Sequence, residues 1–194
     1  QLDDLSARFG VTVLSLAPTM LRRILDRRAE LGAATPVENR WRLIQYGAAP
    51  MPVALLEEAH AALGVEFAQG YGMTEASGNV VFLSPDDHRR GLAGEHRVLR
   101  AAGRPGPGVD LEVRRADGSV CGPGEMGEIH LRGPQISPGY WDDGGPAPAP
   151  AVVDGWLATG DMAMADAYGL LTIVDRAKDI IITGGENVSS LEVE

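Results

Sequence analysis

At 194 residues with a formal net charge of −10, the chain is long enough for one full domain or two small ones. The acidity excludes nucleic acid as the main partner, because phosphate-backbone binding needs a basic face; a small anion can still be held locally by backbone amides, a metal or one arginine. Hydrophobic residues make up 44% of the chain, no apolar run approaches the about 18 residues of a membrane span, and the single cysteine, Cys121, excludes an internal disulfide and suits a reducing, cytoplasmic setting.

Leu2–Phe9 reads as an amphipathic helix stopped by Gly10, and Val11–Leu16 as a buried strand. Pro18-Thr19 opens a helix that places Leu21, Ile24, Leu25 and Leu31 on one stripe, and Gly32 closes it. Trp41–Tyr46 is a second strand. Pro52 suits the first turn of a helix over Val53–Leu63, whose apolar face is Leu55, Leu56, Ala59 and Leu63, with Gly64 at its end. Val65–Ala68 is a third strand. This β-α-β-α-β order with short connections predicts a parallel sheet with packed helices, and ligands of such sheets bind outside the carboxyl ends of the strands.

Ser84-Pro85, the run DDHRRG and the passage GRPGPG mark a boundary. Short alternating strands follow at Val109–Arg114 and Gly127–Arg132, with a turn at Asp117-Gly118 and with Ile129 and Leu131 facing one way. Asp142–Pro150, DDGGPAPAP, reads as a solvated, mobile loop. Trp156–Ala158 is a strand ending in Thr159-Gly160-Asp161, Ala167–Gly169 turns into Leu170–Val174, and Ile180–Thr183 precedes a tight Gly184-Gly185 turn. The fold class expected is α/β: a parallel βαβαβ part over residues 1–85, a small antiparallel β-barrel over 86–175, and the start of a C-terminal α+β domain over 176–194. The absence of an initiator methionine, and the capping-box spacing of Ser189 and Glu192 so near the last residue, read as an internal piece of a larger protein.

Two strand-end segments are unusual: Gly47-Ala48-Ala49-Pro50 and QGYGMTE, Gln69–Glu75. In a parallel sheet they emerge on the same edge, so one cleft lined by both is expected. Gly70 and Gly72 permit a sharp bend and close approach of a ligand. Tyr71, Thr74 and Glu75 supply a flat face, a hydroxyl and a ligand for a hard cation, although a polar turn after a strand has the same composition. Asp161 is open to reading as a turn former, and Arg176 and Lys178 as solvated charges. His60, His88, His96 and His130 lack metal-ligand spacing and read as structural or surface residues; Trp41 and Trp141 read as packing residues, and Cys121, with no histidine nearby to activate it, as a spectator.

In order along the chain, APTML, YGAAP, QGYGMTE, GRPGPGVDLEV, GEIHLRGPQISPGYW, GWLATGD and GLLTIVDRAKDIIITGGENVSSLEVE resemble the motifs of the adenylate-forming superfamily. That group contains acyl-CoA synthetases, peptide-synthetase adenylation domains and luciferases. The last stretch looks most like ligases that activate fatty or aryl acids as CoA thioesters. The resemblance implies that a carboxylate attacks the α-phosphate of Mg·ATP, releasing pyrophosphate, and that a thiol, usually CoA, then displaces AMP. It implies catalytic roles for Thr74, on a phosphate oxygen, and Glu75, holding Mg2+. It places Tyr71 against adenine, with the Ala48, Ala49 and Pro50 backbone on the other face and Gln69 and Gly70 also on the nucleotide. Asp161 and Arg176 would meet the ribose. Lys178 aligns with a domain hinge, Gly184 and Gly185 with a CoA tunnel, and Gly72, Ser77 and Gly78 with the acyl pocket.

The family's phosphate loop and its C-terminal catalytic lysine have no counterpart here, so the isolated chain is expected to be inactive as a ligase. Leu16-Ala17-Pro18-Thr19 lacks the His or aromatic residue that many relatives carry before Pro-Thr. The alternatives are a carrier-protein-loading adenylation domain and a non-catalytic nucleotide-binding relative.

Overall fold

The computed structural model describes residues 2–32, 41–142, 145–148, 152–177, 181–183 and 186–188. It divides into two compact units, Gln1–Tyr71 with Leu83–Arg100, and Gly72–Phe82 with Ala101–Glu194.

The first unit contains α1 (Leu2–Phe9), β1 (Val13–Leu16), α2 (Pro18–Glu30), β2 (Leu43–Gly47), α3 (Val53–Leu63), β3 (Glu66–Met73, the chain leaving the unit after Tyr71) and α4 (Pro85–Leu92). β1, β2 and β3 are parallel neighbours, Ile44 facing Leu14 on one side and Phe67 on the other. α2 starts at Pro18 because proline needs no partner for a missing N–H at the first helical position; Leu21 and Leu25, one turn apart, are buried. Leu31, expected on that stripe, is instead the 60% exposed residue past the helix end. α3 buries Leu55, Leu56, Ala59 and Leu63 as its spacing requires, and Gly64 closes it at φ 63°, donating to the His60 carbonyl. These side chains form one core with Ile44, Tyr46 and Phe67.

Residues 85–92, which hydropathy left unassigned, form α4. Ser84 caps it: its Oγ accepts from Asp87 N at 3.1 Å while Asp87 Oδ2 accepts from Ser84 N at 3.3 Å. The helix carries His88 into the core, 1% exposed. His88 Nδ1–H donates to the Ser84 carbonyl at 2.8 Å, so Nε2 accepts from the Tyr46 hydroxyl at 2.9 Å.

The second unit opens with a 3₁₀ turn, Thr74–Ala76, followed by β4 (Gly78–Leu83, its last residue counted with the first unit), β5 (Arg104–Pro105), β6 (Asp110–Arg114), β7 (Met126–Arg132), β8 (Gly139–Asp142), β9 (Gly145–Pro148), β10 (Val152–Val153), β11 (Trp156–Ala165), β12 (Leu171–Arg176), β13 (Ile181–Thr183) and β14 (Glu186–Val188). β4 and β5 are antiparallel. The sheet of β10, β11, β7 and β6 has β12 on β11, with Ile129 and Leu131 fully buried on its inner face. The α/β class holds, but the expected barrel is open among the described residues. β10 and β12 follow one another along the same edge of β11, across an irregularity in that strand, and no ladder returns to β6.

The expected Pro/Ala loop is in part a hairpin: β8 pairs with β9, Tyr140 opposite Ala147 and Trp141 opposite Pro146. Prolines are tolerated there because β9 has no other partner among the described residues. No helix among the described residues is long and apolar enough to cross a membrane.

Burial lowers the pKa of His88 below its ordinary 6.5, against the opposing pull of the Ser84 carbonyl, Asp87 and Glu66. The unfolded chain therefore takes up this proton first, so the contribution is complete above pH 6.5 and declines as pH falls below it. Urea unfolding between about pH 7.5 and 5.5 is expected to show stability dropping on acidification, with a smaller slope in His88→Gln; an unchanged slope contradicts the buried, neutral assignment.

Candidate functional site

The opening segment of the site is strand for longer than the sequence suggests. β3 runs on to Met73, with Gln69 and Gly70 still pairing with Tyr46 and Gly47. Glycine at position 47 is required, since a Cβ there would collide with the Gly70 carbonyl. In the first unit Ala48, at φ 65°, and Ala49-Pro50 therefore begin on the rung next to Gly70-Tyr71. This left-handed alanine carries backbone strain of the kind found at ligand-contacting loops.

Gly72 does not leave open space for a ligand. A Cβ there would strike the Gly78 carbonyl and lie 2.6 Å from Asn79 Cα; the missing side chain is needed so that the backbone can return past itself. Thr74–Ala76 makes that return, closed by Ser77 at φ 58° donating its N–H to the Thr74 carbonyl at 3.0 Å. Gly72, Ser77 and Gly78, expected on one acyl pocket, are thus brought together, while Thr74 is exposed at the tip of the turn.

The loop before β8 holds this turn. Ser137 N donates to the Glu75 carbonyl at 2.7 Å and Ser77 Oγ to the Gln135 carbonyl at 2.8 Å. The Tyr140 hydroxyl donates to Glu75 Oε1 in a very short hydrogen bond. That bond first, then the residue's own backbone amide and the charge of Arg176, keep the Glu75 carboxyl below its ordinary range despite partial desolvation. Glu75 in turn pushes the Tyr140 phenol upward, so both shifts favour a protonated phenol beside an ionised carboxylate.

Arg176 connects this turn with Thr159-Gly160-Asp161. β11 does not end there, as expected, but bulges. Ala158 faces His130 and Met162 faces Glu128, leaving three residues of β11 opposite Ile129. Gly160 takes φ 76°, Thr159 Oγ1 donates to the Ile129 carbonyl at 2.9 Å and accepts from Asp161 N at 3.1 Å, and Gly160 N donates to Glu128 Oε1 at 2.8 Å. The bulge meets its displaced backbone groups with side chains and aims Asp161 toward β12, where Arg176 is its cross-strand partner with Nε 3.2 Å from Oδ1. The Asp161 side chain is 9% exposed and that of Arg176 58%, so the guanidinium forms an outer cover over a buried carboxylate.

Asp161, Arg176 and Glu75 therefore share one electrostatic neighbourhood in the second unit. Among the described residues no group of three His, Cys, Asp or Glu side chains can hold a metal. One ionised carboxylate at an exposed turn fits Mg2+, which is bound by one or two carboxylates with waters and substrate phosphates; it does not fit an all-protein metal cage. A hollow of about 240 Å³ in the same unit, lined by Arg114, His130, Val153, Asp154, Trp156 and Ala158, includes none of the expected site residues. Lys178, Gly184 and Gly185 lie outside the described residues.

A family model described as "AMP-binding enzyme" matches residues 2–141. The chain belongs to this family. Within these AMP-binding enzymes it falls in the acyl-CoA ligase branch of the adenylate-forming superfamily. It is 40% identical over its whole length to a fatty acid–[acyl-carrier-protein] ligase, ScoC, of Streptomyces coeruleorubidus, covering 36% of that protein. It is 36% identical over 96% of its length to the 2-succinylbenzoate–CoA ligase of Bacillus subtilis, covering 35% of it. The structure of the Bacillus subtilis o-succinylbenzoate CoA synthetase in complex with ATP and magnesium superposes with a TM-score of 0.81 at 36% identity, over all of this chain and 38% of that one. The amide bond synthetase McbA of Marinactinospora thermotolerans gives 0.84 at 34% identity, over all of this chain and 37% of McbA. The chain spans about a third of the length of these AMP-binding relatives.

Tyr140, Ser137 and Glu128, which touch the site residues, all lie in the stretch GEIHLRGPQISPGYW, but that resemblance by itself assigned them no role. Gly160 inside an alternating strand was the one available signal for the bulge. Gly72→Ala is expected to destabilise the second unit by about 1–3 kcal/mol in chemical denaturation. Wild-type stability in that variant contradicts the crowding of Gly72 against Gly78.

Proposed function

We propose that these residues form part of an ATP-dependent acid–thiol ligase that adenylates a carboxylic acid, fatty or aryl, and transfers the acyl group to CoA. The observation that carries this reading is the convergence of Glu75, Arg176 and Asp161 within one unit. It groups an ionised cation ligand, a cation and a two-oxygen acceptor, as a nucleotide's phosphates and sugar require.

In the first half-reaction a substrate carboxylate oxygen bonds to the α-phosphorus, the bond from that phosphorus to the bridging oxygen breaks, and pyrophosphate leaves with the electron pair. In the second, a thiol sulfur bonds to the acyl carbon, the bond from that carbon to the AMP oxygen breaks, AMP leaves with the electron pair, and the thiol proton passes to solvent. The Thr74 hydroxyl donates to a phosphate oxygen and Glu75 carries the negative charge that retains Mg2+. Bound Mg2+ supplies neutralisation of the charge that builds on the phosphates. Asp161 accepts from the ribose hydroxyls, with Arg176 moving aside or sharing the carboxylate. Ala48, Ala49, Pro50, Gln69, Gly70 and Tyr71 are assigned to the adenine end. Gly72, Ser77 and Gly78 are assigned to the acyl group, Gly184 and Gly185 to CoA, and Lys178 to the hinge, each on the family resemblance. The same reading keeps 1–85, 86–175 and 176–194 as functional subdivisions and a cytoplasmic setting. Likeness to an acyl-carrier-protein ligase favours a second reading in which the accepting thiol is on a carrier protein.

Pyrophosphate exchange by the longest natural polypeptide containing this chain, across a panel of carboxylic acids, tests the proposal. Acid-dependent exchange is expected, with Glu75→Gln slowing it about 100-fold and Asp161→Ala raising the KM for ATP. Exchange indifferent to both substitutions contradicts the assignment. The 194-residue chain alone is expected to form no acyl-adenylate.

A further inference from the structure

Tyr140 occupies an unusual position for a tyrosine. The residue is 49% exposed, so apolar burial gives little reason for a large side chain there. Its hydroxyl is committed, donating to Glu75 Oε1. The backbone that carries it is fixed on both sides: Tyr140 pairs with Ala147 across the β8–β9 hairpin, and Ser137, three residues earlier, donates its N–H to the Glu75 carbonyl. The Ser77–Gln135 bond secures the other end of the same turn. The phenol is therefore held against one carboxylate oxygen by a frame that also holds the carboxylate's own backbone.

We propose that Tyr140 is a positioning residue that restricts Glu75 to coordination through a single oxygen, Oε2, and so selects small octahedral cations, Mg2+ and Mn2+, over Ca2+. This rests on reading Glu75 as the cation ligand. With Oε1 engaged by the phenol, the carboxylate presents one oxygen. Mg2+ accepts one oxygen each from one or two carboxylates, with waters and phosphates completing six positions. Ca2+ gathers six to eight oxygens and readily takes both oxygens of a carboxylate. A hydrogen bond to one oxygen costs Mg2+ binding nothing in coordination and orients the other oxygen, whereas it competes with Ca2+ for the second oxygen and disfavours two-oxygen coordination.

The test is calorimetric binding of a non-hydrolysable ATP analogue to the longest natural polypeptide containing this chain, with Mg2+ and separately with Ca2+, in wild type, Tyr140→Phe and Glu75→Gln. In Tyr140→Phe the affinity supported by Mg2+ is expected to fall about tenfold while that supported by Ca2+ holds or rises, narrowing the preference by at least the same factor. Glu75→Gln is expected to remove the cation dependence. An unchanged Mg2+-to-Ca2+ ratio in a folded Tyr140→Phe protein overturns the inference and leaves the nucleotide site intact. Loss of folding in Tyr140→Phe, followed by circular dichroism, also overturns it, since the ring would then be structural. Analogue binding in the wild type that ignores divalent cations or Glu75 overturns the reading of the site as well.

Discussion

A carboxylate at the exposed end of a strand wanders unless something holds it, and the arrangement of the second unit follows from how Glu75 is held. The turn that carries it exists because Gly72 and Gly78 pass too closely for any side chain between them. Its carbonyl, its side chain and the neighbouring Ser77 are each hydrogen-bonded to residues 135–140. Two of the three are bonds between neutral partners, individually modest at about 0.5–1.5 kcal/mol net, and the third joins a phenol to an ionised carboxylate. Together they fix one acidic group in place, as preorganised electrostatics requires.

The second fixed point is the bulge at Thr159-Gly160-Asp161. Inserting extra residues into β11 leaves ladder groups without partners, and Thr159, Glu128 and the left-handed Gly160 answer them one by one. The residue left over, Asp161, is buried and faces Arg176. The motif is thus a backbone device first and a chemical one second: threonine and glycine make the bend that puts the aspartate where it is. A buried carboxylate is costly without a cation, so Arg176 serves the resting structure as well as the site.

Much of the fold was legible in the sequence because its signals are local. The periodic leucines of α3, with Gly64 behind them, allow one helix with one buried face, and the order of strands and helices in the first unit allows a parallel sheet. α4 was overlooked because its hydropathy is low; the Ser84-to-Asp87 capping box was its visible signal. The closed barrel, and the reading of the Pro/Ala stretch as loop where part of it is a hairpin, were misjudged because closure and hairpin pairing depend on register, which alternation alone does not specify. The candidate site residues Glu75, Asp161 and Arg176 were visible through motif context. Tyr140 lies in the stretch GEIHLRGPQISPGYW, but nothing local reports that its ring, 65 positions away, reaches Glu75.

Glu75, held in this frame, is proposed as the protein's point of attachment for a nucleotide-bound divalent cation. The direct measurement is anomalous diffraction from crystals of the longest natural polypeptide containing this chain, grown with Mn2+ and a non-hydrolysable ATP analogue. A manganese peak is expected at bonding distance from Glu75 Oε2, with the Tyr140 hydroxyl still on Oε1. A nucleotide-bound structure whose cation contacts other residues and leaves Glu75 facing only Tyr140 would contradict it.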